Sequence, residues 1–208
     1  MKRISVLILL LFFLGTSGAE AESRAGLIGG LAFTPDADYG NGPAFGFSFG
    51  IGLSKNFAVG LSVLRLQLPA IGTSSGLAKG RVVVLPAELW LQYRFFSEDR
   101  RYIPYVRVGA GYSPTTFSLD SGAVGGWKAV GFDLSETAKG GPSLSAAAGV
   151  EISLAAAIAL AVEARYGLIR SSGSWTMTDR ESGVSVTGSL KNLKLDSLLL
   201  GAGLIFSF

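Results

Sequence analysis

The chain has 208 residues, of which 49% are hydrophobic and 16% are charged, and its formal net charge is +3. It contains no cysteine and no histidine, which excludes disulfides, thiol chemistry, histidine-dependent nucleophiles and the commonest metal ligand. The weak positive charge gives no indication of a nucleic-acid partner. We therefore predict one domain that needs neither a metal nor another cofactor.

The N-terminus has the three regions of a secretory signal peptide. Two basic residues at positions 2–3 precede a mostly apolar stretch at 4–14, and small or polar residues then end in Ala19-Glu20-Ala21. The alternative is a membrane-spanning helix, but eleven apolar residues are too few, because a span needs about 20. The chain is thus predicted to have two parts: a cleaved signal peptide at 1–21 and an exported domain at 22–208.

Apolar residues recur at every second position through most of the exported part, which is strand geometry. Phe45, Phe47 and Phe49, for example, alternate with Gly46 and Ser48. No segment after the signal peptide is apolar enough to predict a spanning helix. Eight strands in four hairpins are predicted, at about 24–33, 44–53, 57–63, 81–96, 102–116, 143–152, 158–167 and 198–208.

The connections between these strands alternate between long and short. The short ones are turns at 54–56, 97–101 and 153–155, and the long ones are polar or glycine-rich segments at 34–43, 69–79, 118–142 and 171–192. Outer-membrane barrels have short periplasmic turns and long extracellular loops. We predict an all-β, eight-stranded, antiparallel, up-and-down transmembrane barrel in the bacterial outer membrane. Ten strands would fit the length, but no fourth short turn is present.

The predicted inner faces of the strands are rich in glycine, alanine and serine. An eight-stranded barrel is just wide enough for side chains to fill it, so small residues are expected there. Residues 46–52 superficially resemble a phosphate-binding loop, but they lie within an alternating strand and no helix follows them. The glycines therefore indicate a narrow lumen rather than a nucleotide site.

Charged residues also fall on these inner faces. An isolated buried charge is very costly, so we expect the charges to pair in one connected network. This network could plug the lumen, act as a gate or selective pore lining, or use two glutamates as an acid–base pair. Catalysis is the weakest of these because no nucleophile is marked, and we predict that the protein is not an enzyme. The candidate lumen residues are Glu88, Trp90, Arg94, Arg107, Glu151, Glu163 and Arg165.

The predicted loops and outer rim carry weaker signals. Trp127 and Trp175 could bind a ligand or simply pack within their loops. Asp36 and Asp38 could bind calcium, but two carboxylates alone are weak evidence. Three basic residues near the rim would meet either lipopolysaccharide phosphates or solvent: Arg65, Lys79 and Arg81.

The chain ends in an amphipathic strand whose last outward residues include Phe206 and Phe208. This ending resembles the signal that the bacterial barrel-assembly machinery reads, so that machinery is an expected partner. We also expect both rings in an aromatic girdle at the periplasmic interface, beside Phe57, Tyr93 and Phe95.

Two consecutive strands carry a recognisable pair of motifs. Residues 85–95 read LPAELWLQYRF and residues 104–112 read PYVRVGAGY. This pair resembles the outer membrane protein W family, in which a Leu-Pro-Pro-Thr-Leu strand ends in Gln-Tyr-x-Phe and a Pro-Tyr-Val-Gly-x-Gly strand ends in tyrosine. The sequence departs from the family at Glu88, Arg107 and Arg165, where the family has threonine, glycine and an apolar or aromatic residue.

The resemblance implies an eight-stranded barrel with a narrow passage for small, often hydrophobic, solutes across the outer membrane. We expect a monomer because most small barrels are monomers. The three departures make this lumen more charged than the family pattern. The alternative expectation is a closed structural or adhesive barrel whose loops contact lipopolysaccharide, a host surface or other proteins. Outer-membrane lipids are expected to surround the barrel in either case.

Overall fold

The structure, a computed structural model, describes residues 22–71, 80–95 and 101–208. The predicted signal peptide, most of the predicted loop at 69–79 and nearly all of the turn at 97–101 lie outside the described residues. The elements are β1 (Ser23–Phe33), β2 (Gly42–Gly52), β3 (Phe57–Ala70), β4 (Gly80–Val84), β5 (Ala87–Arg94), β6 (Tyr102–Ser113), β7 (Thr115–Leu119), α1 (Ser121–Ala129), β8 (Phe132–Lys139), β9 (Gly141–Ala155), β10 (Ile158–Asp179), β11 (Ser185–Lys194) and β12 (Ser197–Ser207).

Eight antiparallel strands form a closed ring of hydrogen bonds in the order β1, β2, β3, β5, β6, β9, β10 and β12. The ring closes where β12 pairs with β1 from Phe33 opposite Leu198 to Arg24 opposite Ser207. At its end, Ser23 and Phe208 exchange two backbone hydrogen bonds, at 3.0 and 2.9 Å. Closure leaves no strand edge unpaired in lipid, where each unsatisfied backbone group would cost several kcal/mol. The predicted eight-stranded barrel is confirmed.

The alternation of side chains assigns one face to lipid and one to the interior. Leu89 and Leu91 on β5 are 52% and 44% exposed, whereas Glu88 and Trp90, which alternate with them, are 4% and 6% exposed. The same alternation runs around the ring, so the outer surface is a band of leucine, valine and aromatic side chains. Of the described residues, none belongs to a helix long and apolar enough to cross a membrane.

Aromatic rings gather at the periplasmic end of this band. Tyr93 lies between Phe57 and Phe95, with ring centroids 5.0 and 4.9 Å apart. Phe208 has Phe49 as its ring neighbour, with centroids 6.5 Å apart. The terminal ring therefore joins a different part of the girdle from the one that the sequence pattern predicts, because β12 pairs with β1 and β10, and Phe49 lies on β2, the other neighbour of β1.

Two of the predicted strands are broken at prolines. The strand predicted over 81–96 is divided into β4 and β5 by Leu85 and Pro86, and the strand predicted over 102–116 is divided into β6 and β7 by Pro114. Proline has no backbone N–H for the ladder. The carbonyl oxygens remain bonded, since Pro86 accepts from Leu64 at 3.0 Å and Pro114 accepts from Leu85 at 2.9 Å.

The prediction of a long loop at 118–142 is wrong. This segment contains the end of β7, helix α1 and strand β8. Asp120 caps α1 by accepting a hydrogen bond from the backbone N–H of Gly122 at 2.8 Å, and Gly131 follows the helix with a positive φ of 90°. Strand β8 alternates apolar and polar residues and pairs with the upper half of β10.

Above the lipid-facing band, β8, β10 and β11 form a three-stranded sheet that extends the barrel outward. The predicted hairpin at 171–192 is thus part of a wider structure, and it turns at residues 180–184, where Gly183 has a φ of 71°. The predicted turn at 153–155 is also displaced, because β9 continues to Ala155 and β10 begins at Ile158.

The terminal aromatic side chain is expected to matter more for assembly in cells than for stability. Phe208→Ala keeps both backbone hydrogen bonds to Ser23 and removes only the ring. We expect a clear reduction of the protein in isolated outer membranes, with little change in refolding into detergent. Phe208→Tyr, which keeps an aromatic ring, is the control. Equal outer-membrane levels of Phe208→Ala and the wild type would contradict the assembly role.

Candidate functional site

The barrel interior is divided into two layers of opposite chemistry. The periplasmic half holds arginines and glutamates, and the extracellular half holds a cluster of aliphatic side chains. Both layers come from the inward positions of the same strands. What the lumen can do depends on how tightly each layer fills it.

The lower part of the charged layer is centred on Glu151, which is 1% exposed. Arg24 binds this carboxylate with Nη1 at 3.0 Å from Oε1 and 2.8 Å from Oε2. Gln92 donates to Oε1 at 2.8 Å. Glu22, nearer the periplasm, lies 3.4 Å from Arg24 and 3.6 Å from Arg94. This part of the network therefore links β1, β5 and β9.

The upper part of the charged layer is centred on Glu163, which is 3% exposed. Its carboxylate meets Arg165 at 2.9 Å and Arg107 at 3.3 Å, and the Tyr105 hydroxyl donates to it at 2.8 Å. Arg107 also donates to Oε1 of Gln92 from Nε at 3.1 Å and from Nη2 at 2.9 Å. Gln92 thus joins the two parts into one network, in which each buried charge has a partner of opposite sign.

Two aromatic rings in the lumen pack against glycines of neighbouring strands and contact Arg107 of this network. Trp90 covers Gly60 and Gly50, where an added Cβ would approach the indole to 2.4 and 2.3 Å. Tyr105 covers Gly149 in the same way, at 2.7 Å. The Arg107 guanidinium carbon lies 4.8 Å from the Trp90 ring centroid and 5.4 Å from that of Tyr105. These glycines are therefore required by close approach.

Glu88 does not join the network, although the sequence pattern predicts that it pairs with an arginine. Its carboxylate accepts a hydrogen bond from the Ser145 hydroxyl at 2.6 Å. Within the described ranges, no cationic side chain lies within ion-pair distance of it. The strand neighbours of Glu88 are Ser62 and Gly111, and Arg107, on the next strand, turns toward Glu163 and Trp90 instead.

The structure brings together six of the seven candidate lumen residues and adds four that the sequence analysis missed, namely Glu22, Arg24, Gln92 and Tyr105. The inward parity of Arg24 could have been found from β1, where it alternates with the lipid-facing Leu27 and Leu31. Gln92 and Tyr105 lie on predicted inner faces but carry no charge. Glu22 precedes the first strand, so no periodicity could place it.

The apolar layer closes the extracellular half of the lumen. Leu66, Leu68 and Val84 are each no more than 2% exposed. The cluster also contains Ala32, Tyr39, Ala44, Leu64, Ala70, Val82, Ile169, Leu195 and Leu199. This layer is a continuous hydrophobic core within the barrel, and it separates the charged layer from the outside.

Tyr39 caps the apolar layer from the segment between β1 and β2, where its backbone pairs with Ala70. Burial, together with the nearby carboxylates of Asp36, Asp38 and Glu136, raises the pKa of Tyr39 to about 12. The phenol therefore stays neutral under all physiological conditions. Over the described parts of the chain, no cluster of three acidic residues is arranged to hold a metal ion, so calcium binding at Asp36 and Asp38 gains no support.

Little empty space remains between the two layers. A cavity of about 30 Å³ is bordered by Tyr105, Arg107 and Arg165 below and by Ile28 and Leu64 above. A second, of about 10 Å³, lies within the apolar layer between β7 and β8. Each has room for one or two water molecules at most. A solute cannot cross the lumen straight through in this arrangement of side chains.

The remaining candidates lie outside the lumen. Arg65 and Arg81 are exposed on the outer surface, Arg65 beside Phe45 of β2, and Lys79 lies outside the described residues. Trp127 on α1 packs edge-on against Phe132, with centroids 6.5 Å apart. Trp175 lies over Gly188 of the neighbouring strand β11. Both tryptophans thus pack within the extracellular structure.

The fold and its filled lumen define a small outer-membrane barrel, and comparison with known families agrees. The model of the outer membrane protein beta-barrel domain matches residues 4–206. The chain therefore belongs to the outer membrane protein beta-barrel domain family, whose members lie in the bacterial outer membrane. No curated protein matches the chain by sequence.

Several solved structures are similar to this chain in fold. The outer membrane protein OprG from Pseudomonas aeruginosa is 18% identical, with 90% of this chain and 97% of that chain covered and a TM-score of 0.58. Neisserial surface protein A is 13% identical, with 92% and 100% covered and a TM-score of 0.54. Outer membrane protein W of Escherichia coli is 18% identical, with 92% and 100% covered and a TM-score of 0.50.

The different environments of two buried glutamates lead to a test. Glu163→Gln leaves Arg107 and Arg165 without their shared anion, and we expect a loss of about 3–5 kcal/mol in the free energy of unfolding. Glu88→Gln is the matched control, because among the described residues the partner of Glu88 is the Ser145 hydroxyl, which can also donate to the side-chain oxygen of glutamine. Urea unfolding in detergent micelles measures both variants. Equal losses would contradict the distinction drawn between the two carboxylates.

Proposed function

We propose that this protein is a narrow passage for small apolar solutes across the outer membrane, closed at rest by its two lumen layers. The observation that carries the proposal is that side chains alone block the lumen between the strands. Glycine, alanine and serine line much of the wall around the charged layer, including Gly26, Ser48, Gly50, Gly60, Ser62, Gly109, Gly149 and Gly203. Rotation of a few long side chains would therefore open space along the axis.

The charged layer supports the role of a gate. Glu163 is contacted by Arg107 from β6 and by Arg165 from its own strand, β10, and Arg107 also stacks on Trp90. Moving either arginine removes a bulky side chain from the lumen but leaves a buried charge without its partner. That cost is several kcal/mol, so the closed arrangement dominates until a solute or another change offsets it. The candidate gate is the full set of Glu88, Trp90, Arg94, Arg107, Glu151, Glu163 and Arg165, extended by Arg24, Gln92 and Tyr105.

The apolar layer supports an apolar solute. Its side chains are aliphatic as far as the extracellular side. A lumen that held only water would be expected to have a polar lining there. Strand β7 pairs with β4 and β8 pairs with β10, and within the described ranges no ladder joins β7 to β8. Phe117, Ala138 and Leu193 border the small cavity beneath this seam. We propose the seam as the entry for solutes.

The resemblance to the outer membrane protein W family supports the same proposal, and we propose membership of that family. The small solute, surrounding lipids and lipopolysaccharide, and the barrel-assembly machinery are the proposed partners, and the protein is proposed to act as a monomer without catalytic activity. Glu151 and Glu163 are held by arginines and hydrogen-bond donors, which disfavours their use as an acid–base pair.

A second candidate function is a closed structural or adhesive barrel, in which the lumen never opens. The filling of both layers favours it, since a buried ion-pair network also stabilises a wall. In that case the extracellular sheet and helix would make the functional contacts, with lipopolysaccharide, a host surface or other proteins.

Single-channel conductance in planar bilayers tests the gate. Arg165→Ala and Glu163→Ala each remove a lumen side chain and leave a partner uncompensated, so both are expected to raise conductance above the wild type. Arg65→Ala is the control, because it removes an exposed arginine from the outer surface. Unchanged conductance in both lumen variants, with folding shown by heat-modifiable gel mobility, would favour the closed structural barrel.

Uptake of an apolar solute by cells tests whether solutes enter through the seam. Cells expressing the protein are expected to take up naphthalene faster than cells that express a seam variant in which Phe117→Cys and Ala138→Cys, at positions that border the same cavity, are joined by a short crosslinker containing a reducible disulfide. The same cells under reducing conditions are the control. Uptake that does not depend on the seam, or equal uptake without the protein, would contradict the proposed route.

A further inference from the structure

The outer side of the extracellular sheet is an array of hydroxyl groups. Strands β8, β10 and β11 each present serine or threonine at successive outward positions, and at the upper end Asp133 lies opposite Thr178 in an ion pair with Arg180. We call this surface the hydroxyl face, formed by Ser135, Thr137, Ser172, Ser174, Thr176, Thr178, Ser185, Thr187 and Ser189. The other side of the same sheet carries Trp175, Met177, Leu134 and Glu136. Because Glu136 and Ala138 on that side line the small cavity in the apolar layer, the hydroxyl face is turned away from the barrel axis.

Strand pairing places these hydroxyls in rows. Thr176 lies between Ser135 and Thr187, and Ser174 lies between Thr137 and Ser189. Neighbouring hydroxyls contact each other between strands, with Thr137 to Ser174 at 2.8 Å, Thr176 to Thr187 at 3.1 Å and Thr178 to Ser185 at 2.8 Å. Each hydroxyl has one donor and two acceptor sites, so these contacts hold the side chains in place and leave acceptor and donor capacity facing outward.

The hydroxyl face is continuous with the lipid-facing surface. On β10 the outward side chains run from Tyr166 and Leu168 through Arg170 directly to Ser172 and Ser174. At about 3.4 Å per residue, the array from Ser172 to Thr178 extends roughly 20 Å along the strand, or about 15 Å in height for a strand tilted as in such barrels. It therefore occupies the zone next to the membrane where the saccharides of the outer leaflet stand.

Basic residues mark the lower edge of this face. Lys139 is paired in register with Ser172, and Lys194 with Arg170. Arg170 forms an ion pair with Asp196. Both lysines are exposed, and neither forms an ion pair with a residue in the described parts of the chain. Two uncompensated cations thus lie at the boundary between apolar and hydroxyl surface, at the height of lipid headgroup phosphates.

We propose that the hydroxyl face and its basic lower edge bind lipopolysaccharide of the surrounding outer leaflet. Lys139 and Lys194 meet phosphate groups of the lipid A headgroup, and the serine and threonine rows hydrogen-bond the core saccharide above it. The vertical order of the protein surface, apolar then basic then hydroxyl, matches the order of acyl chains, phosphates and sugars in that lipid. This inference does not depend on whether the lumen conducts.

The chemistry explains why hydroxyls suit this position. A saccharide offers many hydroxyls, each a donor and an acceptor, and a fixed array of serine and threonine side chains can match both. Charged side chains over the whole face would favour phosphate alone, and apolar side chains would leave the sugar hydroxyls unsatisfied. Two lysines at one edge combine phosphate attraction with saccharide contacts in separate zones.

The proposal is tested by measuring how the purified protein in detergent binds three probes. These are lipopolysaccharide with its core saccharide, lipid A without core sugars, and phosphatidylglycerol. The hydroxyl variant is Ser174→Ala/Thr176→Val/Thr187→Val, in which valine keeps the shape and strand propensity of threonine and alanine removes only the serine hydroxyl. The basic variant is Lys139→Gln/Lys194→Gln. The matched control is Thr116→Val/Ser118→Ala, which removes exposed hydroxyls from the outer face of β7. Thr187→Val alone, on the edge strand, is used if the triple variant does not fold.

The hydroxyl variant is expected to lose about tenfold in affinity for core-bearing lipopolysaccharide and to bind lipid A as the wild type does, because several modest hydrogen bonds are removed. The basic variant is expected to weaken binding to both. The β7 control should bind all probes normally. Wild-type affinity of the hydroxyl variant for core-bearing lipopolysaccharide would overturn the proposal, and so would an equal loss in the β7 control or equal binding of phosphatidylglycerol by the wild type.

Discussion

The pairing of buried charges inside a closed ring of eight strands is the constraint on which the rest of this structure depends. The ring leaves an interior only as wide as its own side chains, so the long inward side chains contact others from across the barrel. A carboxylate there must find a cation or a hydrogen-bond donor, since burial without one is very costly. Glu151 and Glu163 meet this condition through Arg24, Arg107 and Arg165, and the small residues of the wall make room for them.

Glycine positions and large side chains are consequently two parts of one arrangement. Trp90 can lie across the lumen because Gly60 and Gly50 lie beneath it, and Tyr105 reaches Glu163 because Gly149 lies beneath its ring. Any Cβ at these positions would push the rings toward the axis and displace the guanidinium of Arg107. The glycine-rich strands are therefore as specific as the charged residues that they accommodate, and a change in either is expected to disturb the other.

The parts of this fold that follow a two-residue period were predictable from the sequence, and the parts that depend on contacts across the lumen were not. Alternation alone places Glu88, Glu163 and Arg165 inside, and Leu89 and Phe206 outside, because a closed barrel forces each face to one environment. It cannot say that Glu88 meets Ser145 rather than an arginine, because partners are set by rotamers and by which strands lie opposite. The loop expected at 118–142 failed for another reason: β8 has only eight residues, and polar side chains on its outer face hide the apolar ones.

The extracellular sheet shows how one strand can serve three environments in turn. Strand β10 runs for 22 residues, and its alternation of exposed and buried side chains holds from Ala161 to Ser171. Its outward side chains are apolar at Val162, basic at Arg170 and hydroxylated at Thr176. Its inward side chains change from the ion pairs of Glu163 and Arg165 to the apolar layer at Ile169. Because the hydrogen bonds of the ladder join backbone groups, the side chains at each height of the strand can differ while the strand pairing is kept. The barrier inside the barrel and the contact surface outside it can therefore change independently while the ring stays closed.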